Sequence, residues 1–306
     1  MTQSQVHLPG DLDGRHVLVV PRGTDVAALA SAWFPDAEWT RPPVSAAQAA
    51  AAARPMTGAR FRGNSVDVTV PVAGVLQIAA AVTLVGPTPL GGSDARAAGL
   101  PPHDVDLYAL VPSDEGAPLD LIDGWMTAAA RRVAGAVVPA DRTRLVTPDP
   151  GSAVDLTLWS PVPLSAQDAL PLVRPALTGA RVGVPQSSQA EGSPGPAPFA
   201  VTGTFEYDGS ITVRTGRSRE VPVALSRLDW REFGPWSYRV TWQPPEPEEL
   251  RSEHPSQLHL IARSRVEPSV ARVVAALWRA VGGTIDDAGG FVVPPDEVRD
   301  RATARR

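Results

Sequence analysis

Residues 107–147, LYALVPSDEGAPLDLIDGWMTAAARRVAGAVVPADRTRLVT, and residues 258–293, LHLIARSRVEPSVARVVAALWRAVGGTIDDAGGFVV, decide the fold. Each opens on a short apolar run, Leu107 to Val111 and Leu258 to Ala262, which reads as a strand. A helix follows in each. Leu119, Ile122, Met126, Ala129 and Val133 form one apolar stripe, and Val266, Val270, Val273, Leu277 and Val281 form another, both at the spacing of a helix laid on a sheet. Pro118 and Pro268 sit where a first helical turn tolerates proline, and Gly135 and Gly282-Gly283 sit where helix ends favour glycine. Beyond the glycines come Ala136-Val137-Val138 and Thr284-Ile285, then polar turns at Ala140-Asp141-Arg142 and Ala288-Gly289-Gly290. The stretches Leu145-Val146-Thr147-Pro148-Asp149 and Phe291-Val292-Val293-Pro294-Pro295-Asp296 close the pair.

Working outward, the fronts of the two halves also match. His16 to Val20 reads as a strand before a helix from Asp25 to about Trp33. Asp155 to Trp159 reads as a strand before a helix from Ser165 to about Leu177, which Pro171 and Pro175 interrupt. Each half thus opens β-α and closes β-α-β. The expected fold class is α+β: two pseudo-repeated two-layer halves, each ferredoxin-like (split βαβ) in strand and helix order. The halves are 1–150 and 151–306, with the boundary near Pro148 to Ser152. In the second half Gln186 to Pro198 is rich in Ser, Gly and Pro and reads as a flexible loop, 186–198. Phe199 to Tyr207, a turn at Asp208-Gly209, and Ile211 to Arg214 form an expected hairpin. Trp236 to Trp242 alternates as a half-buried strand does. The first half has instead a proline- and alanine-rich stretch from Arg41 to Pro55.

Between Asp67 and Asp94 there is no charged residue. The stretch Val68 to Val85 is long enough to be weighed as a membrane span, but Thr69, Pro71, Gly74, Gln77 and Thr83 interrupt it. A strand at Val66 to Val70 and a buried helix from about Gly74 to Leu84 is the reading it favours, with no membrane contact. Met1 to Gly14 is polar, carries Asp11 and Asp13 and lacks an apolar core, which argues against a secretory signal and makes the cytoplasm the expected compartment.

Composition narrows function by exclusion. The 306 residues have 43% hydrophobic and 20% charged content, as globular proteins do. All 28 basic residues are arginine, and Asn64 is the only asparagine, a pattern that AT-poor codon usage explains. Without lysine there is no Walker loop, no pyridoxal Schiff base and no protein-kinase strand lysine. Without cysteine there is no disulfide, thiolate nucleophile, iron–sulfur cluster or cysteine-based zinc site. A net charge of -5, with basic residues clustered only at Arg299, Arg301, Arg305 and Arg306, argues against a nucleic-acid partner. Neither G-x-S-x-G nor G-x-G-x-x-G occurs at a strand end, so no cofactor is expected.

Three clusters carry candidate chemistry. Trp230, Arg231, Trp236, Tyr238 and Arg239, with Phe233 and Trp242, crowd aromatic and guanidinium groups into one stretch. Such groups form recognition surfaces. They equally form a strand whose Trp236, Tyr238, Val240 and Trp242 face a helix layer while Arg231 and Arg239 stay exposed. His103, Asp104 and Asp106 precede the strand at Leu107, where general acid–base groups could sit, or where an ordinary loop enters a sheet. His254 and His259, with Glu248, Glu249 and Glu253 nearby, match no metal-ligand spacing; no metal is expected, and His259 reads as a sheet residue. The leading expectation is a non-catalytic binding or scaffolding protein that uses its aromatic and arginine-rich surface on a protein partner. The alternative is a metal-independent hydrolase or isomerase working through His103 and Asp106.

Overall fold

The computed structural model describes residues 6–52, 71–113, 118–183, 196–252 and 254–304. The expected strand at Val66 to Val70 and most of loop 186–198 lie outside these residues. The chain is a mixed α+β protein with two six-stranded antiparallel sheets and, among the described residues, eight α-helices. It divides into two compact units, Met1–Pro150 and Gly151–Arg306.

In the first unit the elements run β1 Val17–Pro21, α1 Val26–Ser31, β2 Glu38–Arg41, α2 Ala46–Ala52, β3 Gly74–Ala79, β4 Val82–Leu90, α3 Gly92–Ala97, β5 Val105–Pro112, α4 Leu119–Arg132 and β6 Ala136–Val138. The sheet order is β2-β3-β4-β5-β1-β6. Asp25 caps α1 by accepting a hydrogen bond from the Ala28 amide at 3.0 Å. The stripe of α4 buries Ile122, Trp125, Met126 and Ala129. The Trp125 indole ties α4 to α1 by donating to the Leu29 carbonyl at 3.0 Å and meets the Phe34 ring edge-on.

The helix expected from Gly74 to Leu84 is instead the β3–β4 hairpin, turning at Ala80-Ala81. Burial alternates along both strands, with Leu76, Ile78, Val82 and Leu84 inside, and this period of two outweighs the alanines that suggested a helix. No helix among the described residues is long and apolar enough to cross a membrane.

The second unit runs β7 Leu156–Ser160, α5 Ala166–Val173, β8 Arg181–Gly183, β9 Phe199–Phe205, β10 Gly209–Arg217, α6 Trp230–Phe233, β11 Trp236–Gln243, α7 Gln257–Val281, β12 Thr284–Asp287 and α8 Pro295–Thr303. Its sheet order is β12-β7-β11-β10-β9-β8. The core joins Leu156, Leu158, Val201, Ile211, Val213 and Ile285 of the sheet to Ala169 and Val173 of α5 and to Val266, Val270, Val273, Leu277 and Val281 of α7.

Two expectations fail here. Leu258 to Ala262 is no strand but the opening of the 25-residue α7, whose N-terminus Ser256 caps through the His259 amide at 3.2 Å. Leu258 and Ile261 are exposed while His259 and Ala262 are buried, so burial follows the helical period, and His259 and Ala262 extend the stripe that runs on through Val266. Pro268 lies inside this helix, not at its first turn. The strand that precedes the helix is β11. After β12, Phe291 to Val293 makes only the isolated bridge from Val292 to Asp286, and the chain turns at once into α8 with Pro295 in its first turn.

The strand orders also depart from a ferredoxin-like sheet. The closing β-α-β is split as expected: β5 and β6 flank β1, and β11 and β12 flank β7. The opening crossover differs. Three strands, not one, separate β1 from β2 and β7 from β8, because a strand meander fills the space.

Candidate functional site

The structure disperses the residues that sequence drew together. Trp236 and Tyr238 lie in the core with Val240 and Trp242, packed under the helices, so the expectation of a binding surface at these two side chains is corrected. Strand alternation puts every even-numbered side chain of β11 on the helix side. The Tyr238 hydroxyl donates to the Val162 carbonyl at 2.7 Å, and burial pushes its pKa up to about 12. Trp230, 61% exposed, stands on α6 with the Arg231 guanidinium 5.8 Å from its ring centre. Arg239 is exposed on the opposite face of β11 from Trp236 and Tyr238.

His103 and Asp106 lie in different environments. His103 is exposed, whereas Asp106 is buried and accepts a hydrogen bond from the Gly23 amide at 3.1 Å. Beside it, Asp104 pairs with Arg22 at 2.6 Å and accepts from the Gly92 amide at 2.9 Å. These carboxylates fasten the β1–α1 turn and the start of α3 to β5. His259 belongs to α7, not to the sheet. Its ring packs at a tilt against Trp242 with 5.1 Å between ring centres, and burial, then Arg263, depress its pKa. Among the described residues no three or more His, Asp or Glu side chains gather where they could hold a metal ion.

Arg239 leads to the site that sequence reasoning missed. On the face of the second sheet away from α5 and α7, cross-strand register aligns Ala200, Arg214, Arg239, Thr157 and Asp286 in one row across β9, β10, β11, β7 and β12. The neighbouring row is Arg181, Thr202, Thr212 and Thr241. Thr202 and Thr212 hydroxyls meet at 3.0 Å and the Thr241 hydroxyl donates to the Thr212 carbonyl at 3.5 Å, so the threonines bind one another and the backbone. Arg181, Arg214 and Arg239 are all exposed. Among the described residues none of these three guanidiniums has an ion pair or a hydrogen bond within the chain. Arg214 and Arg239 are direct cross-strand partners, an arrangement in which like charges repel.

At the far end of the row Asp286 is buried, accepting a hydrogen bond from the Trp159 indole at 3.0 Å. Burial pushes its pKa up to about 7, with Asp287 adding to the rise and the indole and Arg239 opposing it. Trp159 is itself covered by Leu225 and Phe233. The carboxylate is thus built into the sheet, and the arginines are presented from it.

The row in the same place in the first sheet's strand order is Val85, Ala109, Val17 and Val138. It is apolar. Val17, Ala109 and Val138 pack there with Val6 and Leu12 from the N-terminal segment and Ala95 of α3. One sheet has therefore covered this face with its own chain, and the other presents charge on it. This face of the second sheet is polar and bears exposed arginines.

Comparison with models of protein families, with curated proteins and with solved structures finds no match for this chain.

Proposed function

We propose that this chain is a non-catalytic binding protein whose second sheet docks an acidic protein segment through Arg181, Arg214 and Arg239. The observation that carries this reading is the cross-strand pairing of Arg214 with Arg239, neither of which has an ion pair among the described residues. For stability alone the pair is unfavourable by about 0.2–1 kcal/mol. A carboxylate-bearing partner reverses that sign, because guanidinium and carboxylate meet in bidentate hydrogen bonds. The threonines around the arginines supply a flat ground that needs no further satisfaction. On a chain of net charge -5, a local cluster of this sign also steers acidic partners to one face.

We also read the two sheets as diverged copies of one β-α-β-β-β-β-α-β unit, each half an independent domain. The support is their equal strand orders and two glycines in equivalent places. A Cβ on Gly135 would lie 2.2 Å from the Val19 carbonyl oxygen, and one on Gly283 would lie 2.0 Å from that of Trp159. Each precedes the last strand of its sheet.

The test is fluorescence anisotropy with a labelled deca-glutamate peptide. Wild type should bind with an affinity that falls steeply with salt, and R214Q/R239Q should bind at least tenfold more weakly while its melting temperature holds or rises. Equal affinity in the two proteins removes the assignment of the face.

A further inference from the structure

On the other side of the second sheet, α8 leans on α7 and leaves a cavity of about 380 Å³ between α5, α7 and α8. Its lining is apolar and includes Leu172, Trp278, Val298 and Ala302. The Trp278 indole is oriented by its donation to the Gly283 carbonyl at 3.0 Å. Volume and lining fall within the range of sites that hold small organic molecules.

Three arginines border the cavity: Arg272, Arg279 and Arg299. Arg299 is paired with Asp296. The other two are exposed and have no carboxylate among the described residues. Arg272 donates to the Pro268 carbonyl at 3.2 Å and to the Ser269 hydroxyl at 2.9 Å, and Arg279 donates to the Ala275 carbonyl at 3.2 Å. These bonds leave guanidinium donors unused on each. The two are seven residues apart on one helix face, roughly 10 Å along the axis, with Ala275 and Ala276 between them opening the way inward.

We infer that this cavity is a binding site for a monomeric amphipathic anion, a carboxylate on an aliphatic or aromatic body. The apolar body fills the space under α8 and the carboxylate sits at the rim against Arg272 and Arg279. A neutral body would leave both guanidiniums without a counter-charge, and a cationic one would meet repulsion from both. The site stands on different residues from the docking face and does not depend on it.

Titration calorimetry on the full chain tests this with dodecanoate kept below its micellar concentration, alongside dodecanol and dodecyltrimethylammonium. Wild type should bind one dodecanoate saturably and prefer it over the cation. R272Q/R279Q, changed only at exposed positions, should weaken dodecanoate at least tenfold and leave dodecanol within about twofold. Ala302→Trp, which fills the cavity, should abolish both, with circular dichroism confirming the fold. No saturable binding by wild type, equal affinity for the cation, or dodecanoate binding unchanged by either variant overturns the site. So does loss on removing the arginines together with full binding in Ala302→Trp, which would place the ligand outside the cavity.

Discussion

Asp286 is the residue whose environment most plainly opposes its ordinary state. With a pKa near 7 in the fold against 3.8 unfolded, it binds more protons folded than unfolded between those values. Its contribution is therefore fully present below pH 3.8 and is lost as pH rises through 7. Asp286→Asn keeps the acceptor for the Trp159 indole and removes the charge, so at pH 8 it should stabilise the chain by on the order of 1–4 kcal/mol and at pH 4 by little. Urea unfolding at the two pH values measures it; equal effects at both would mean that the carboxylate is not held neutral. Trp236 is the opposite case. It is 9% exposed within the main core, and Trp236→Ala should cost about 3–5 kcal/mol in the same measurement. The alternation Trp236, Tyr238, Val240 and Trp242 was legible in sequence, and so was its alternative as a surface. What sequence does not carry is which face α7 covers, and on that choice Tyr238 becomes core and Arg239 becomes exposed. Arg214 was legible only as a hairpin residue, because its pairing with Arg239 is a fact of register between strands.

At the scale of elements, the long periodic helices and the glycines behind them were readable because their signals are local. Gly283 shows why the glycine cannot vary: its φ of 110° and the carbonyl 2.0 Å from any Cβ both exclude a side chain. Gly283→Ala and Gly135→Ala should each cost more than about 2 kcal/mol, read as a lower urea midpoint; a cost below about 0.5 kcal/mol at either would mean that the crossover onto the first strand has room to shift. Short apolar runs were misread in both directions. Leu258 to Ala262 looked like a strand and is helix, and Gly74 to Leu84 looked like a helix and is hairpin. Over so few residues, periods of 2 and 3.6 overlap, and the arbiter is the tertiary partner: β4 gives the strand at Gly74 its ladder, and the sheet gives α7 its floor. The helix α8 was hidden for a further reason, since its charged sequence buries only Val298 fully.

For the whole molecule, every apolar cluster described above draws its buried members from one unit only, Val6 to Val138 or Val154 to Val298. Residues 1–150 and 151–306 expressed separately should therefore each unfold cooperatively in calorimetry. A half that lacks a heat-absorption peak would show that its core needs the other. The row proposed for docking on the second sheet has a polarity as well as a charge. Its two guanidiniums stand on β10 and β11, and its only carboxylate is sunk at the β12 edge. Under the proposed docking, a chain laid along that row cannot be reversed without cost: its acidic end belongs over β10 and β11, and over β12 it should present a donor or nothing. On the proposed docking the face would read orientation, so an acidic segment and the same segment with its sequence reversed would be two different ligands for it.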